Sequence, residues 1–450
     1  MSLNRRDLLL DSLPLAAGAT LANSDEATAA KPIKLASLSF TATGLVPNTK
    51  ADQTSKLQAA IDLAAKKKMK LTLPGGRYIT GPLVLRSGSH IEGVYGETVL
   101  QFSKGASFIS AKDLSTVTLQ HLVFDGASRG FIGGSVNGLL SFDTIPNLLI
   151  EHCFIKDGLL NGLSLLNCGG HIHANKINLC GSAGIFATDS SQLEISHNHV
   201  TDCSNNGILV WRSKKGTDGT IVSQNHIHRI KTKDGGSGQN GNGVNVYRAG
   251  NVIVSNNVIS DCAFSAVRGN GADNIQILNN SCSKLGEVAL YSEFGFEGAI
   301  ISNNMVDDAH VGISITNFNE GGRLATATGN LIRNLKKYQG NAAIGIAVEA
   351  DTMVTGNVVE NVPGLGISLG YGKYMRQVTV NNNLVRDAQI GIGVSTHTEA
   401  GYALIATNMI TGAKKGGVRA MDLEKPIGPD LTKSSSEAFL NLAVYGNVSL

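Results

Sequence analysis

An asparagine that keeps returning constrains this chain more than any other feature. It stands at Asn175, Asn198, Asn225, Asn257, Asn280, Asn304, Asn330, Asn357, Asn383 and Asn408. A recurring period of roughly 20 to 50 residues marks a stack of structural repeats. The local text repeats with it. Two positions after the asparagine sits an apolar residue in nearly every copy, as at Ile177, Val200, Ile227 and Ile259. Five positions after it sits a small or apolar one, as at Cys180, Cys203, Ile230 and Cys262. Such a unit cannot bury its apolar face alone, but a stack of them buries a continuous core and lengthens along one axis.

One repeat shows the expected elements. Leu193-Glu194-Ile195-Ser196 alternates as a half-buried strand does, and His197-Asn198 makes a turn. His199-Val200-Thr201-Asp202-Cys203 reads as a second strand, Ser204-Asn205-Asn206 as a turn, and Gly207-Ile208-Leu209-Val210-Trp211 as a third strand. Three strands per repeat, each beside its counterpart one repeat away, predict an all-β solenoid of three parallel sheets. Asparagines at a shared turn can bond one another along the axis and satisfy turn backbone groups. Leu122 and Cys153 take the asparagine position in the first repeats. The pattern predicts roughly 12 coils between 85 and 425.

The flanks read differently. Ser55 to Lys68 carries Leu57, Ile61 and Ala64 at helical spacing and ends in Lys66-Lys67-Lys68, where cations favour the helix dipole. A helix there would cover the open end of a β stack, whose unpaired backbone invites aggregation. Residues 31–100 are therefore expected to be an N-terminal cap and first coils, 101–425 the repeats, and 426–450 a C-terminal cap with a strand over Glu437–Tyr445. Asn4-Arg5-Arg6-Asp7-Leu8-Leu9-Leu10 followed by Ala27-Thr28-Ala29 reads as a twin-arginine signal over residues 1–30, which predicts export to a periplasm or beyond.

Composition excludes some classes. The net charge of +3 (38 basic against 35 acidic residues) is too mild for a nucleic-acid partner. No apolar run reaches the roughly 18 residues that would span a membrane in the mature chain. Cys180, Cys203 and Cys262 share a repeat position held elsewhere by Ala, Leu, Val or Ile, so they read as small apolar side chains inside the coil. A disulfide between Cys180 and Cys203, on adjacent coils, stays open as an alternative.

Several segments carry a family resemblance: Gln58-Ala59-Ala60-Ile61-Asp62, Leu73-Pro74-Gly75-Gly76-Arg77-Tyr78, Pro82-Leu83-Val84-Leu85 and Ile91-Glu92-Gly93. With the repeats, they resemble the right-handed parallel β-helix proteins of the pectin lyase-like superfamily. The leader plus repeats looks like a family of twin-arginine-translocated β-helix repeat proteins. The resemblance covers almost the whole mature chain and implies a single-stranded right-handed β-helix. The chain departs from the polygalacturonase-type motif set. Arg229-Ile230-Lys231 is present, but there is no Gly-His-Gly, and Asp307-Asp308 falls at a different place. No catalytic residue carries over from that set.

The resemblance implies a substrate groove along the Gly-Ile-x-Val strands. Reading their outward positions coil by coil puts Trp211, Tyr247 and Tyr291 in one column, with Asn245, Arg268 and Asn270 beside them. Arg212, Arg248 and Glu293 come at the strand ends, and Glu349 lies two coils beyond Glu293. Rings beside directional donors make a sugar platform. Two connections flank it, Ser213–Gly219 and the Gly-rich 231–242. The expected activity is binding and modification of an acidic polysaccharide by lyase or C5-epimerase chemistry. That chemistry needs a base, a carboxylate neutraliser and a proton donor. Arg268, Arg248, Tyr291 and Glu293 are the catalytic candidates, with Lys231 a further possible base. Trp211, Asn245, Tyr247, Asn270, Arg212 and Glu349 are the binding candidates. Hydrolysis would need two carboxyl groups, here Glu293 and Glu349. The resemblance implies Ca²⁺ for acidic-sugar lyases, but no Asp cluster on the row places it. Two alternatives stand beside this reading. One is a non-catalytic carbohydrate-binding or envelope scaffold. The other is a metal-binding periplasmic protein using His121, His152, His173, His197, His199, His226 and His228.

Overall fold

The structure, a computed structural model, describes residues 35–450 apart from Ser135, Ser237 and Asn317. The twin-arginine segment lies outside the described residues. The fold is built on a turn that the asparagine makes affordable. The residue just before each asparagine is left-handed, with φ of 59° at His197, 57° at Gln224, 57° at Asn256, 55° at Asn279 and 67° at Gly329. A non-glycine residue pays for that conformation, by roughly 1–2 kcal/mol. The asparagine offsets it with hydrogen bonds. Oδ1 of Asn280 accepts from the backbone N–H of Asn257 at 3.0 Å and from its Nδ2 at 2.9 Å. Nδ2 of Asn280 donates to the Val254 carbonyl and to Asn304 Oδ1, both at 3.0 Å.

This ladder is continuous. It begins at Cys153, whose N–H donates to Asn175 Oδ1 at 2.9 Å, and it ends at Asn447, whose Oδ1 takes the Asn408 N–H at 3.0 Å. Asn447 is a member the period did not include, because it follows Asn408 by 39 residues. Each ladder asparagine from Asn175 to Asn408 is buried.

Strands before the asparagine, such as Leu193–Ser196, stack into one sheet of 16 strands. Strands after it, such as His199–Thr201, and the longer strands, such as Asn206–Thr217, form the second and third stacks. These two merge into a 28-stranded sheet, because single strands such as Val358–Leu369 turn the corner between them. The described residues make about 14 turns, against the roughly 12 expected between 85 and 425, and rungs such as Lys70–Thr72 and Leu442–Tyr445 lie outside that window. Inward positions fall in register, as in Ile172, Ile195, Val222, Val254, Ile277 and Ile301. All six are fully buried, and each contributes on the order of 1.5–3 kcal/mol of burial.

A helix, α1 (Thr54–Lys66), buries Leu57, Ala60, Ile61 and Ala64 and packs on the first strands. At the other end the chain departs from pure stacking. Lys425–Asp430 pairs antiparallel with Val418–Asp422. The expected terminal strand begins only at Leu442, where Leu442–Tyr445 pairs in parallel with Ala403–Ala406 and adds a rung to the first sheet. All six cysteines are buried and free, so the alternative disulfide between Cys180 and Cys203 is not formed. The hydrogen bond between those two thiols, together with burial, pushes Cys180 well above the usual thiol range.

Two outcomes are expected. Asn280→Ala should cost about 2–4 kcal/mol in denaturant unfolding, because buried backbone groups on two turns lose partners. An unchanged midpoint would contradict the ladder's role. The folded protein should show no thiol titratable by a bulky disulfide reagent, and all six after unfolding.

Candidate functional site

The outward face of the third stack carries the candidate residues. Backbone register places Phe186, Leu209, Asn245, Arg268 and Tyr291 in one column. The neighbouring column holds Thr188, Trp211, Tyr247, Asn270 and Glu293. Tyr291 stacks over Arg268 rather than with Trp211 and Tyr247, which corrects its expected position. The turn is offset by two residues from the expected register. Glu293 ends its strand, as expected, and does so in the column of Trp211 and Tyr247. Arg212 and Arg248, expected at strand ends, lie within the strands Asn206–Thr217 and Asn242–Gly250. Glu349 lies two turns beyond Glu293, as expected.

The rings meet, in a sequence that begins one turn earlier than expected. Phe186 and Trp211 pack edge-on with centroids 5.3 Å apart, and Trp211 and Tyr247 are tilted at 5.3 Å. The Arg248 guanidinium lies 4.8 Å from the Tyr247 centroid. Arg248 is held there by a left-handed backbone, φ 57°, and by an Nη1 hydrogen bond to the Ser213 carbonyl at 3.3 Å. Arg212 Nη1 donates to the Ser190 carbonyl at 3.3 Å and lies 3.9 Å from the buried Asp218. The three rings are half-buried, neither covered nor free. One edge of this track is raised by the long strand Asn206–Thr217, which bulges after Trp211 before pairing resumes at Gly216. Lys215, on the bulge, reaches Asp273 at 2.8 Å and the Gly295 carbonyl.

The polar half of the site is closed. Arg268 and Glu293, expected on an open groove, are only 7% and 2% exposed, and Asn245 only 3%. Arg268 Nε donates to Glu293 Oε1 at 2.6 Å, and Asn270 Nδ2 donates to the same oxygen at 3.1 Å. The guanidinium lies 5.1 Å from the Tyr291 centroid, and its Nη1 is 3.7 Å from Glu287 Oε2. The cause is the Gly-rich connection. Asn242 Nδ2 donates to the Gly238 carbonyl at 2.8 Å, and Asn206 Nδ2 to the Gln239 carbonyl at 3.1 Å, which holds the connection against the sheet. A Cβ on Gly238, at φ 130°, would sit 1.6 Å from Arg268 Nη1, so only glycine fits. Burial pushes the Tyr291 phenol up to about 12, with Glu293 adding to the shift. Burial also raises the Glu287 carboxyl, against the opposing pull of Arg268. Buried polar atoms here that make no hydrogen bond include Trp211 Nε1, Asn245 Oδ1, Arg268 Nη1, Glu287 Oε2, Arg212 Nε and Asp218 Oδ2.

Glu287 and Gly238 were missing from the expected site. Gly286-Glu287 opens the Tyr291 strand, so its proximity was legible only with that strand in register. Arg229, of the Arg-Ile-Lys run, is engaged bidentately by Asp202 at 2.7 Å for both bonds.

The histidines gather in pairs at the asparagine corner and on the strands beside it. His121 and His152 stack at 5.4 Å, and His199 and His226 at 4.7 Å. His173 and His228 bond to Ser196 and Ser260, at 3.0 and 2.8 Å. Burial lowers His199, and the neighbouring His226 adds to it. Among the described residues no group of three or more His, Cys, Asp or Glu is placed to hold a metal ion.

A family model described as the right-handed β-helix region matches residues 102–227 and 213–385. The chain belongs to this right-handed β-helix family. No curated protein matches it. Among solved structures, pre-mature bacteriophage phi29 gene product 12 is similar in fold, with TM-score 0.50 and 13% identity over 85% of this chain and 55% of that one. The catalytic unit of the GH87 α-1,3-glucanase from Streptomyces thermodiastaticus is 15% identical, with TM-score 0.48, over 94% of this chain and 70% of that one. The A-module of the Azotobacter vinelandii mannuronan C-5 epimerase AlgE6 is 15% identical, with TM-score 0.41, over 91% and 98%.

Arg268→Met should destabilise this β-helix protein by about 3–5 kcal/mol, since it strands a buried carboxylate. The double variant Arg268→Met/Glu293→Leu should recover a large part of that loss in the same urea titration. A double variant as unstable as the single one would contradict the pairing.

Proposed function

We propose that this protein binds a polysaccharide, more specifically an acidic one, along the outward face of the third sheet. The observation that carries this reading is the run Phe186, Trp211 and Tyr247 with Arg248 stacked on its last ring. Rings on successive turns offer flat apolar faces about 4.8 Å apart along the axis. Arg248 and Arg212, each directly after a ring in its strand, offer planar donors for sugar carboxylates, and Asn270 and Glu349 offer directional partners for hydroxyls.

Modification of the bound chain is a second reading, and one observation favours it. Arg268 and Glu293, which are buried, form a set with the half-buried Tyr291 and Glu287 that holds a cation, a phenol and a carboxyl with raised proton affinity. Elimination needs a base at C5, a neutraliser for the carboxylate and a donor for the leaving oxygen, and C5 epimerisation needs the first two. The Arg268 guanidinium lies beneath Gly238, so substrate would reach it only with the 231–242 connection displaced. Binding is therefore the leading reading and lyase or epimerase turnover the second. Hydrolysis fits less well, because Glu293 is committed to Arg268.

The same proposal places the protein in the periplasm or outside the cell, by the twin-arginine signal over residues 1–30. That leader also underlies the closeness to twin-arginine-translocated repeat proteins. Helix α1 acts as the cap over the N-terminal coils.

Trp211 is the only tryptophan, so selectively excited tryptophan emission reports on the proposed site. Titration with acidic oligosaccharides should shift its emission, and Tyr247→Ala should weaken the titrated affinity by about tenfold. Emission unmoved by acidic and neutral oligosaccharides alike would sink the binding reading. Unsaturated uronate absorbance appearing in the same mixtures would establish elimination. Binding without it, and without C5 inversion, would leave a non-catalytic module.

A further inference from the structure

Beyond Tyr291 the column of Asn245 and Arg268 shrinks to Ser314, Ala347, Ser368 and Gly393. Of these four, Ser368 lines an open cleft. Lys337, Lys415, Tyr371 and the C-terminal hairpin, through Met421 and Leu423, line it too. The cleft measures about 740 Å³, inside the roughly 300–1,000 Å³ range of ligand sites.

The floor of the cleft is apolar. Ile344, Leu365 and Ile390 stack in register across three turns. Gly393 preserves the packing at its edge, since a Cβ there would come 2.5 Å from Leu365 and 3.2 Å from Met421. The rim is cationic. Lys336 is tied to Asp308 at 2.7 Å, but its neighbour Lys337 and Lys415 enter no ion pair among the described residues. Glu424 is the one carboxylate among the lining residues. His310 bonds through Nδ1 to the Lys336 carbonyl at 3.0 Å, which orients its ring at the same rim.

The geometry points to a second saccharide-binding cleft in the C-terminal turns, selective for an anionic sugar. Its carboxylate or sulfate ester is held by Lys337 and Lys415, while its ring lies on Ile344 and Leu365 beside Tyr371. This rests on the reading that the third sheet holds saccharide, and it adds a site three turns beyond Tyr291, about 14 Å along the axis. Two uncompensated ammonium groups over an apolar floor select a ligand with one charged edge and one apolar face. A neutral sugar gains the floor but not the rim.

The test is calorimetry on the full chain with three ligands: an oligogalacturonate, a sulfated oligosaccharide and a neutral oligoglucoside. The variants are Lys337→Ala/Lys415→Ala, Tyr371→Ala and Trp211→Ala. The lysine pair is exposed, so unchanged melting is the control for folding. The lysine double variant should bind the anionic ligand at least about tenfold more weakly and the neutral one as wild type does. Which of the two anionic ligands shows the loss distinguishes carboxylate from sulfate. The proposal is overturned if the double variant binds both anionic ligands as wild type does, or if wild type binds neither. Failure of the aromatic-track reading has a different signature: Trp211 emission and the Trp211→Ala affinities stay unchanged while the lysine effect persists.

Discussion

Everything in this molecule hangs on one repeated hydrogen-bond pattern, an asparagine side chain bridging two successive turns. Its oxygen takes the backbone N–H of the asparagine below, and its amide reaches a carbonyl on the strand below. The pattern satisfies turn groups that burial would otherwise leave unpaired, and it fixes the register of each coil on the last. It also explains why a run of left-handed residues is tolerated at one corner. Each is held from both sides by the ladder, so the strain is repaid locally.

A ladder of this kind fixes the corner between the first and second sheets and leaves the other connections free in length. Insertions therefore collect there. The 231–242 connection enters between Asn225 and Asn257 without breaking the ladder, since Asn225 still bonds Asn257 at 2.9 Å. The bulge after Trp211 is accommodated in the same way. Rigid rows of outward side chains flanked by connections of variable length make a scaffold suited to binding, with the strands supplying position and the connections supplying shape. The third sheet shows two consequences of this arrangement. Near Arg268 a connection folds down and closes the surface, and near Ser368 small residues and a hairpin leave it open.

The parts that were legible in the sequence are those the repeat controls. The asparagine interval predicted three parallel sheets, the inward columns and the buried cysteines, and it placed Trp211 beside Tyr247. The parts that were missed depend on contacts between turns that no interval encodes. The register of Tyr291 is carried by the sequence, because eleven residues separate Asn198 from Leu209, Asn257 from Arg268 and Asn280 from Tyr291. The closure of Arg268 is not. It requires Gly238 to descend from a connection with no repeat partner, and it requires Glu293 to turn toward the guanidinium. Asn447 escaped because the antiparallel hairpin stretches the last interval.

The account holds that the third sheet, and not another face, receives the ligand. The most direct measurement is a crystal structure of the protein with an acidic oligosaccharide. The account predicts sugar density along Phe186, Trp211 and Tyr247, with a ring face against Trp211 and a carboxylate near Arg248. Density confined to the outer face of the first sheet, around Gln276, Thr326 and Asp351, where a smaller hollow lies, would contradict it.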